Sequence, residues 1–374
     1  MIIRTLQQNI QNQIGKGKVI ALMGARQVGK STLSKQLLGD RNDVLWLNGD
    51  DADTRTLLSN MSSTRLRSVI GNKKYVVIDE AQRITNIGLV IKLVSDQIPD
   101  VQLIATGSSS FELANKINEP LTGRKREYTL FPFSFKEMVE SHGLLDETRL
   151  LPHRLVFGYY PEVVTSPGDE KIALKELVNS YLYRDMLSFD RIKNADGLQR
   201  LVKALALQIG CQISYNEIAN LIGLSAKTVE HYIDILEKCF IVFRLNSFAK
   251  NLRNELKASK KIYFWDLGIR NAVIGNLSQI ENRSDVGELW ENFLISEKMK
   301  MLSYSNSFAQ TYFWRTKQQQ EIDFLQEEDG ILQTFEFKWN DKKIKTKQPE
   351  TFKNAYPDAT YKVITPSNVE DFLL

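Results

Sequence analysis

One stretch, LMGARQVGKSTL from Leu22 to Leu33, restricts the fold of this chain more than any other. Within it Gly24-Ala25-Arg26-Gln27-Val28-Gly29-Lys30-Ser31 fits the pattern G-x-x-x-x-G-K-[ST], and Thr32 follows. The apolar run KVIALM precedes the pattern and the helix-like STLSKQLL comes after it. A strand, a glycine-rich turn and a helix start, in that order, aim several backbone N–H groups at one anion. Gly24 to Thr32 are therefore the candidate phosphate-binding residues. The glycines let the backbone wrap closely, Lys30 neutralises the β and γ phosphates, and Ser31 offers its hydroxyl to Mg2+. A chance glycine turn would not come with that strand before it and that helix after it.

The surroundings extend the pattern into an α/β domain. From Lys18 to about Phe135, the short apolar runs KVIALMG, DVLWLNG, KYVVIDEA and VQLIATGSS alternate with polar, helix-like stretches. Runs without polar alternation suit buried parallel strands, whose two faces are both covered by helices. A chain of 374 residues exceeds one ordinary core. Three parts are expected: an α/β part over 1–150, a mostly helical part over 151–259, and a second α/β part over 260–374. Charge and cysteine usage exclude several classes. A formal net charge of +4 permits nucleic-acid contact without arguing for it. Cys211 and Cys239 are far apart beside apolar residues and read as reduced core residues. His142, His153 and His231 are too scattered for a histidine zinc centre. No apolar run approaches the length of a membrane span and the N-terminus has no signal-like apolar stretch, so a cytoplasmic protein is expected.

A phosphate cradle needs acids at the tip of a neighbouring strand, and YVVIDEAQ supplies them. Asp79 is the expected partner of the Mg2+ shell, and Glu80 the expected base for the attacking water. The strand VQLIATGSS ends in hydroxyls. Thr106 and Ser108 are the candidates for sensing the γ-phosphate or placing the water; Ser108 is preferred, and Thr106 also fits a strand cap. In PLTGRKREYTLFPFSF the basic residues Arg124, Lys125 and Arg126 follow. Arg124 is the candidate for stabilising the transferring phosphate, in cis or from a neighbouring subunit. A solvated basic turn is the competing reading.

Together, GARQVGKSTL, VVIDEAQ, ATGSSSFEL, LTGRKREYTLFPFSF and GYYPEVV resemble the prokaryotic AAA-type ATPases that carry a C-terminal domain called DUF4143. The similarity runs over nearly the whole chain. It implies ATP and Mg2+ as cofactors, an AAA+-like parallel sheet, a winged-helix region, and a C-terminal restriction-endonuclease-like fold. It implies no defined biological role.

The middle of the chain carries a helix-turn-helix pattern in ISYNEIANLIGLSAKTVEHYIDILEKCFIVFRL. Gly223 makes the turn, Ser225 caps the second helix, and Val229, Tyr232, Ile233 and Leu236 form its apolar stripe. CFIVFRL is the expected wing strand. The second helix would expose Lys227, Glu230, His231, Asp234 and Glu237, an acidic face that DNA phosphates repel. Arg244, Lys250, Arg253, Lys257, Lys260 and Lys261 offer compensation downstream. A packing or lid module and non-specific DNA contact remain equal readings.

At the C-terminal end, EIDFLQEEDGILQTFEFKW places Asp323 on one strand and Glu336-Phe337-Lys338 on the next. Alternate strand residues share a face, so Glu336 and Lys338 point one way and Phe337 the other. Asp323 and Glu336 can then meet on one divalent cation, with Lys338 beside the attacking water. Glu288 and Glu291 lie on the preceding helix, and Glu291 is the candidate third acid. This resembles the PD-(D/E)xK pattern of nucleases. Acid-turn-acid hairpins also occur on solvated surfaces, and Arg315 fits phosphate binding or solvation alike. Two functions follow: an ATPase that moves or loads DNA toward a metal-dependent nuclease, and an ATP-controlled binding protein whose nuclease-like domain is inactive. A homo-oligomer is compatible with both.

Overall fold

The computed structural model describes residues 2–59, 61–108, 121–180, 192, 194–249, 259–344 and 347–374. It divides into two compact units, Met1–Pro132 with Lys238–Phe240, and Phe133–Glu237 with Ile241–Leu374. These units cut the chain differently from the three parts expected from the sequence.

The first unit is built on β1 (Val19–Met23), β2 (Val44–Asn48), β3 (Tyr75–Asp79), β4 (Gln102–Gly107) and β5 (Lys125–Thr129), in the order β2-β3-β4-β1-β5. Every pairing is parallel. Every residue of β1 and β4 is buried, which accounts for the unbroken apolar sequence of β1 and the apolar centre of β4. Val19, Ala21 and Met23 pack with Val76, Ile78, Leu103 and Ala105 and with helix residues Ile87, Val90, Ile91 and Val94 in one core. Strand order reverses between β1 and β4, and ligands in open α/β sheets bind beyond the carboxyl ends of the strands at such a point.

The second unit holds a seven-stranded mixed sheet. Its strands are β6 (Gln212–Ile213), β7 (Val242–Ser247), β8 (Lys260–Phe264), β9 (Gln310–Arg315), β10 (Glu321–Glu328), β11 (Ile331–Phe337) and β12 (Thr360–Ile364), in the order β12-β11-β10-β9-β7-β8-β6. The helix-turn-helix pattern folds as helices Tyr215–Ile222 and Ala226–Lys238. Gly223 between them is left-handed, and the Ser225 hydroxyl accepts from the Thr228 N–H at 3.1 Å. Val229, Tyr232, Ile233 and Leu236 are buried, as the stripe predicts. The expected wing strand is β7, which pairs antiparallel with β8 and parallel with β9. The boundary expected at 259 therefore falls within one sheet. Beyond it, helix Val286–Tyr304 precedes the antiparallel run β9-β10-β11, and β12 adds parallel to β11 after helix Glu350–Ala355.

Two expectations change. Cys239 is buried but Cys211 is exposed; both are free thiols. The acidic face of the second helix is partly neutralised, because Arg244 donates to Asp234 Oδ1 at 2.7 Å and also pairs with Glu237. No helix among the described residues is long and apolar enough to cross a membrane.

Candidate functional site

The phosphate loop leaves β1 at Gly24 and enters helix Lys30–Leu38. Gly24 has φ +152°, and a Cβ there would lie 2.1 Å from the Leu130 carbonyl oxygen, so only glycine fits. Gln27 and Gly29 are also left-handed, which turns the loop back over the helix start. Arg4 steadies it from outside the motif by donating to Val28 O at 2.8 Å and Phe131 O at 2.6 Å.

Lys30 is 5% exposed, and its ammonium donates to Gly24 O at 3.0 Å and Ala25 O at 2.8 Å. Burial pushes it down to about 8, against the pull of Glu80 and Asp79. Ser31 Oγ donates to Asp79 Oδ2 at 2.6 Å. The hydroxyl and the carboxylate expected to share a cation are thus brought together from residues 48 positions apart. Oxygen donors beside a lysine and a helix N-terminus suit Mg2+ on a polyphosphate.

Because β4 lies between β3 and β1, its hydroxyl tip reaches both acids. Thr106 is fully buried; its hydroxyl donates to Asp79 Oδ1 and accepts from the Glu80 N–H at 3.3 Å. Thr106 is therefore more than a strand cap. Ser108 donates to Glu80 Oε2 at 3.2 Å. Gln82, which sequence reasoning missed, donates to the same Glu80 oxygen at 2.6 Å and to Ser108 Oγ at 3.0 Å. Its position two residues after the acid, in DEAQ, was the available signal. Glu80 is left-handed, with φ 47°. The neighbouring Gly49 allows this close approach, since a Cβ there would meet Glu80 O at 2.3 Å.

Arg124 is not brought to this site. Its carbonyl accepts from the Val19 N–H at 2.9 Å, at the start of β1, while the phosphate loop leaves the other end. The four residue steps of β1 separate the two by about 13 Å at a strand rise of roughly 3.3 Å. The guanidinium pairs with Asp96 at 2.6 Å. The Arg124 guanidinium, held by Asp96, thus lies away from the phosphate loop of its own chain.

A second charged cluster lies in the other unit. Glu291 on helix Val286–Tyr304, Asp323 on β10, Glu336 near the end of β11 and Lys338 just after it lie near enough to act on one another's charge, whereas Glu288 is exposed. A register shift between Ile322 and Leu325 marks a bulge in β10 at Asp323. Asp323 Oδ2 accepts from the Phe337 N–H at 2.8 Å. Burial and the Glu291 and Glu336 carboxylates push Asp323 well above the ordinary carboxylate range. Burial also raises Glu336, although Lys338 Nζ donates to Glu336 Oε1 at 2.6 Å.

Of the three acids expected to share a metal, Glu291 is met by Lys261, which also pairs with the neighbouring Glu321. Lys261 is 2% exposed, and its ammonium lies 2.9 Å from Glu291 Oε1 and 2.6 Å from Glu321 Oε1. Tyr263 donates to the same Glu291 oxygen at 2.6 Å. Arg315 pairs with Glu321 at 3.6 Å. Among the described residues no group of three or more His, Cys, Asp or Glu is placed to hold a metal ion. Lys261 and Arg244 are thus engaged in internal pairs. Lys250, Arg253 and Lys257 lie outside the described residues.

Comparisons with known proteins match separate stretches of the chain. Residues 16–139 match an AAA domain, 286–371 the domain of unknown function DUF4143, and 148–280 the domain of unknown function DUF8612. An uncharacterized protein of Mycobacterium tuberculosis is 26% identical over 337 residues, covering 88% of this chain and 72% of the relative. One from Methanocaldococcus jannaschii is 24% identical, covering 86% and 75%. Among solved structures, a Walker-type ATPase of Pyrococcus abyssi aligns with TM-score 0.49 at 16% identity, covering 73% of this chain and 96% of that one. The Aeropyrum pernix Orc1 protein in complex with DNA aligns with TM-score 0.28 at 14% identity, covering 71% and 90%. By the family models, residues 16–139 are thus similar to an AAA domain and residues 286–371 to DUF4143.

Proposed function

We propose that this chain binds and hydrolyses Mg2+-ATP at the N-terminal site and couples that cycle to non-specific DNA handling by its C-terminal part. The observation that carries the ATPase reading is the Ser31–Asp79 contact at 2.6 Å, with Lys30 and Glu80 beside it. Ser31 and Asp79 would hold Mg2+, whose charge offsets that of the phosphates. The loop amides of Gly24 to Thr32 bind the phosphate oxygens, and the Lys30 ammonium leaves its own loop carbonyls for them. Glu80 takes the proton of the attacking water at its carboxylate, and Ser108 and Gln82 fix that carboxylate's direction.

The order of elements in the second unit supports two finer assignments. A helix, β6, the two helices of the turn motif, β7 and β8, with the strands ordered β7-β8-β6, support the winged-helix reading. A helix, three antiparallel strands, a helix and a parallel strand support the restriction-endonuclease-like PD-(D/E)xK reading. We assign the AAA+-like domain to 1–150, the helical and winged-helix part to 151–259, and the nuclease-like domain to 260–374; the last two share a sheet, and β8 of the latter completes the winged-helix strands of the former. The position of Lys261 among the acids favours a nuclease-like domain that engages DNA without cutting it.

ATP turnover tests the first half. Glu80→Gln is expected to retain bound ATP while losing hydrolysis; normal turnover in that variant removes Glu80 as the base. For the second half, plasmid and single-stranded DNA are incubated with Mg2+ or Mn2+. Wild type and Lys338→Ala are expected to leave them equally intact, and cleavage by wild type alone would restore the cutting role. Binding of labelled duplexes of unrelated sequence is expected to be equal and to weaken with salt; absence of binding at low salt would remove DNA as the partner.

A further inference from the structure

Four carboxylates, Glu291, Glu321, Asp323 and Glu336, meet three cationic groups, Lys261, Lys338 and Arg315, in the second unit. Lys261 differs from the other two cations because it comes from β8, in the strand set around the helix-turn-helix, and not from β9 or β11. Lys261 and Tyr263 are two apart on β8 and therefore share a face. Both aim at Glu291 Oε1, at 2.9 Å and 2.6 Å. The ammonium also reaches Glu321 at 2.6 Å and lies 5.2 Å from the centre of the Phe313 ring. Lys261 has almost no exposure to water, so it has no other partner phase to retreat to without breaking these contacts.

A nuclease of this fold implies a divalent cation bound by the helix acid and the strand acids. Here the helix acid already has a buried ammonium and a phenol on one oxygen. A metal drawn to Glu291 would meet the Lys261 charge at contact distance in a poorly solvated site, where like charges repel strongly. We infer that Lys261 is the resident cation of this carboxylate cluster, standing where a metal is expected, and that it ties β8 to helix Val286–Tyr304. This inference rests on the nuclease-like reading of the C-terminal domain and is independent of the ATPase reading.

The test is Mn2+ titration of the nucleotide-free 374-residue chain, read by the electron paramagnetic resonance of free Mn2+. Wild type and Lys261→Arg are expected to show no Mn2+ site that depends on Glu291. Lys261→Met is expected to gain one, at least about tenfold tighter than any such binding in wild type. The double change Lys261→Met with Glu291→Gln is expected to lose it again. Mn2+ should raise the melting temperature of Lys261→Met only. A wild-type Mn2+ site abolished by Glu291→Gln would overturn the inference, as would a folded Lys261→Met that gains no site. Should Lys261→Met fail to fold, the wild-type and Glu291→Gln titrations decide the matter alone. ATP binding measured on the same samples keeps a failure of the nucleotide site separate.

Discussion

Lys30 shows how burial prepares a charge for a ligand. Desolvation brings its ammonium down to about 8, while the nearby Glu80 and Asp79 hold it partly up. A polyphosphate stabilises the protonated form, so the pKa rises on binding. Affinity for ATP is then full below pH 8 and falls as pH rises through it. The dissociation constant is expected to weaken by up to about tenfold between pH 8 and pH 9; a flat profile over that range would argue against Lys30 as the phosphate contact. At the acidic pair, Gln82→Ala is expected to lower kcat by about tenfold with ATP affinity unchanged, because it only orients the base. An equal loss in binding would make it a structural residue. Lys30, Ser31, Asp79 and Glu80 were legible because each motif is local, an apolar strand with its polar tip. The division of labour between Thr106 and Ser108 was not, because it depends on β4 lying between β3 and β1.

At the scale of elements, the helix-turn-helix was readable from its spacing, its glycine turn and its serine cap. Its surface was not. Asp234 and Glu237 read as exposed acids, but Arg244 folds back from β7 onto both. A partner seven and ten residues away, across a helix-to-strand turn, leaves no periodic trace in the sequence. Arg244→Ala is expected to cost about 1–3 kcal/mol of stability in denaturant unfolding. The salt dependence of DNA binding should stay the same, since this guanidinium is turned inward. A shallower salt slope in that variant would place Arg244 on the nucleic acid instead. The start of helix Phe135–His142 offers a cleaner case. Ser134 and Glu137 form a capping box, with bonds of 3.2 Å and 3.0 Å. Ser134→Ala is expected to cost about 1 kcal/mol, with no change in ATP affinity.

For the whole molecule, the alternation of apolar runs announced the parallel sheet, and the two strand-turn-strand acids announced the C-terminal cluster. What the sequence left hidden is long-range: the Lys261 contact spans 30 residues to Glu291 and 60 to Glu321, joining parts that composition separates. Arg124 is hidden in the same way, since only the β1–β5 register shows which end of the sheet it occupies. We propose that it serves the nucleotide of a neighbouring copy. Turnover per molecule is then expected to rise with protein concentration, and mixing Arg124→Ala with Lys30→Ala should restore part of it. Turnover independent of concentration would remove the intersubunit role. The account as a whole depends on the phosphate loop, and calorimetric titration with ATP in the presence of Mg2+ tests that most directly. Wild type is expected to show saturable binding at one site per chain, and Lys30→Ala to show none. Absence of saturable binding in wild type, or equal affinity in the two proteins, would contradict it.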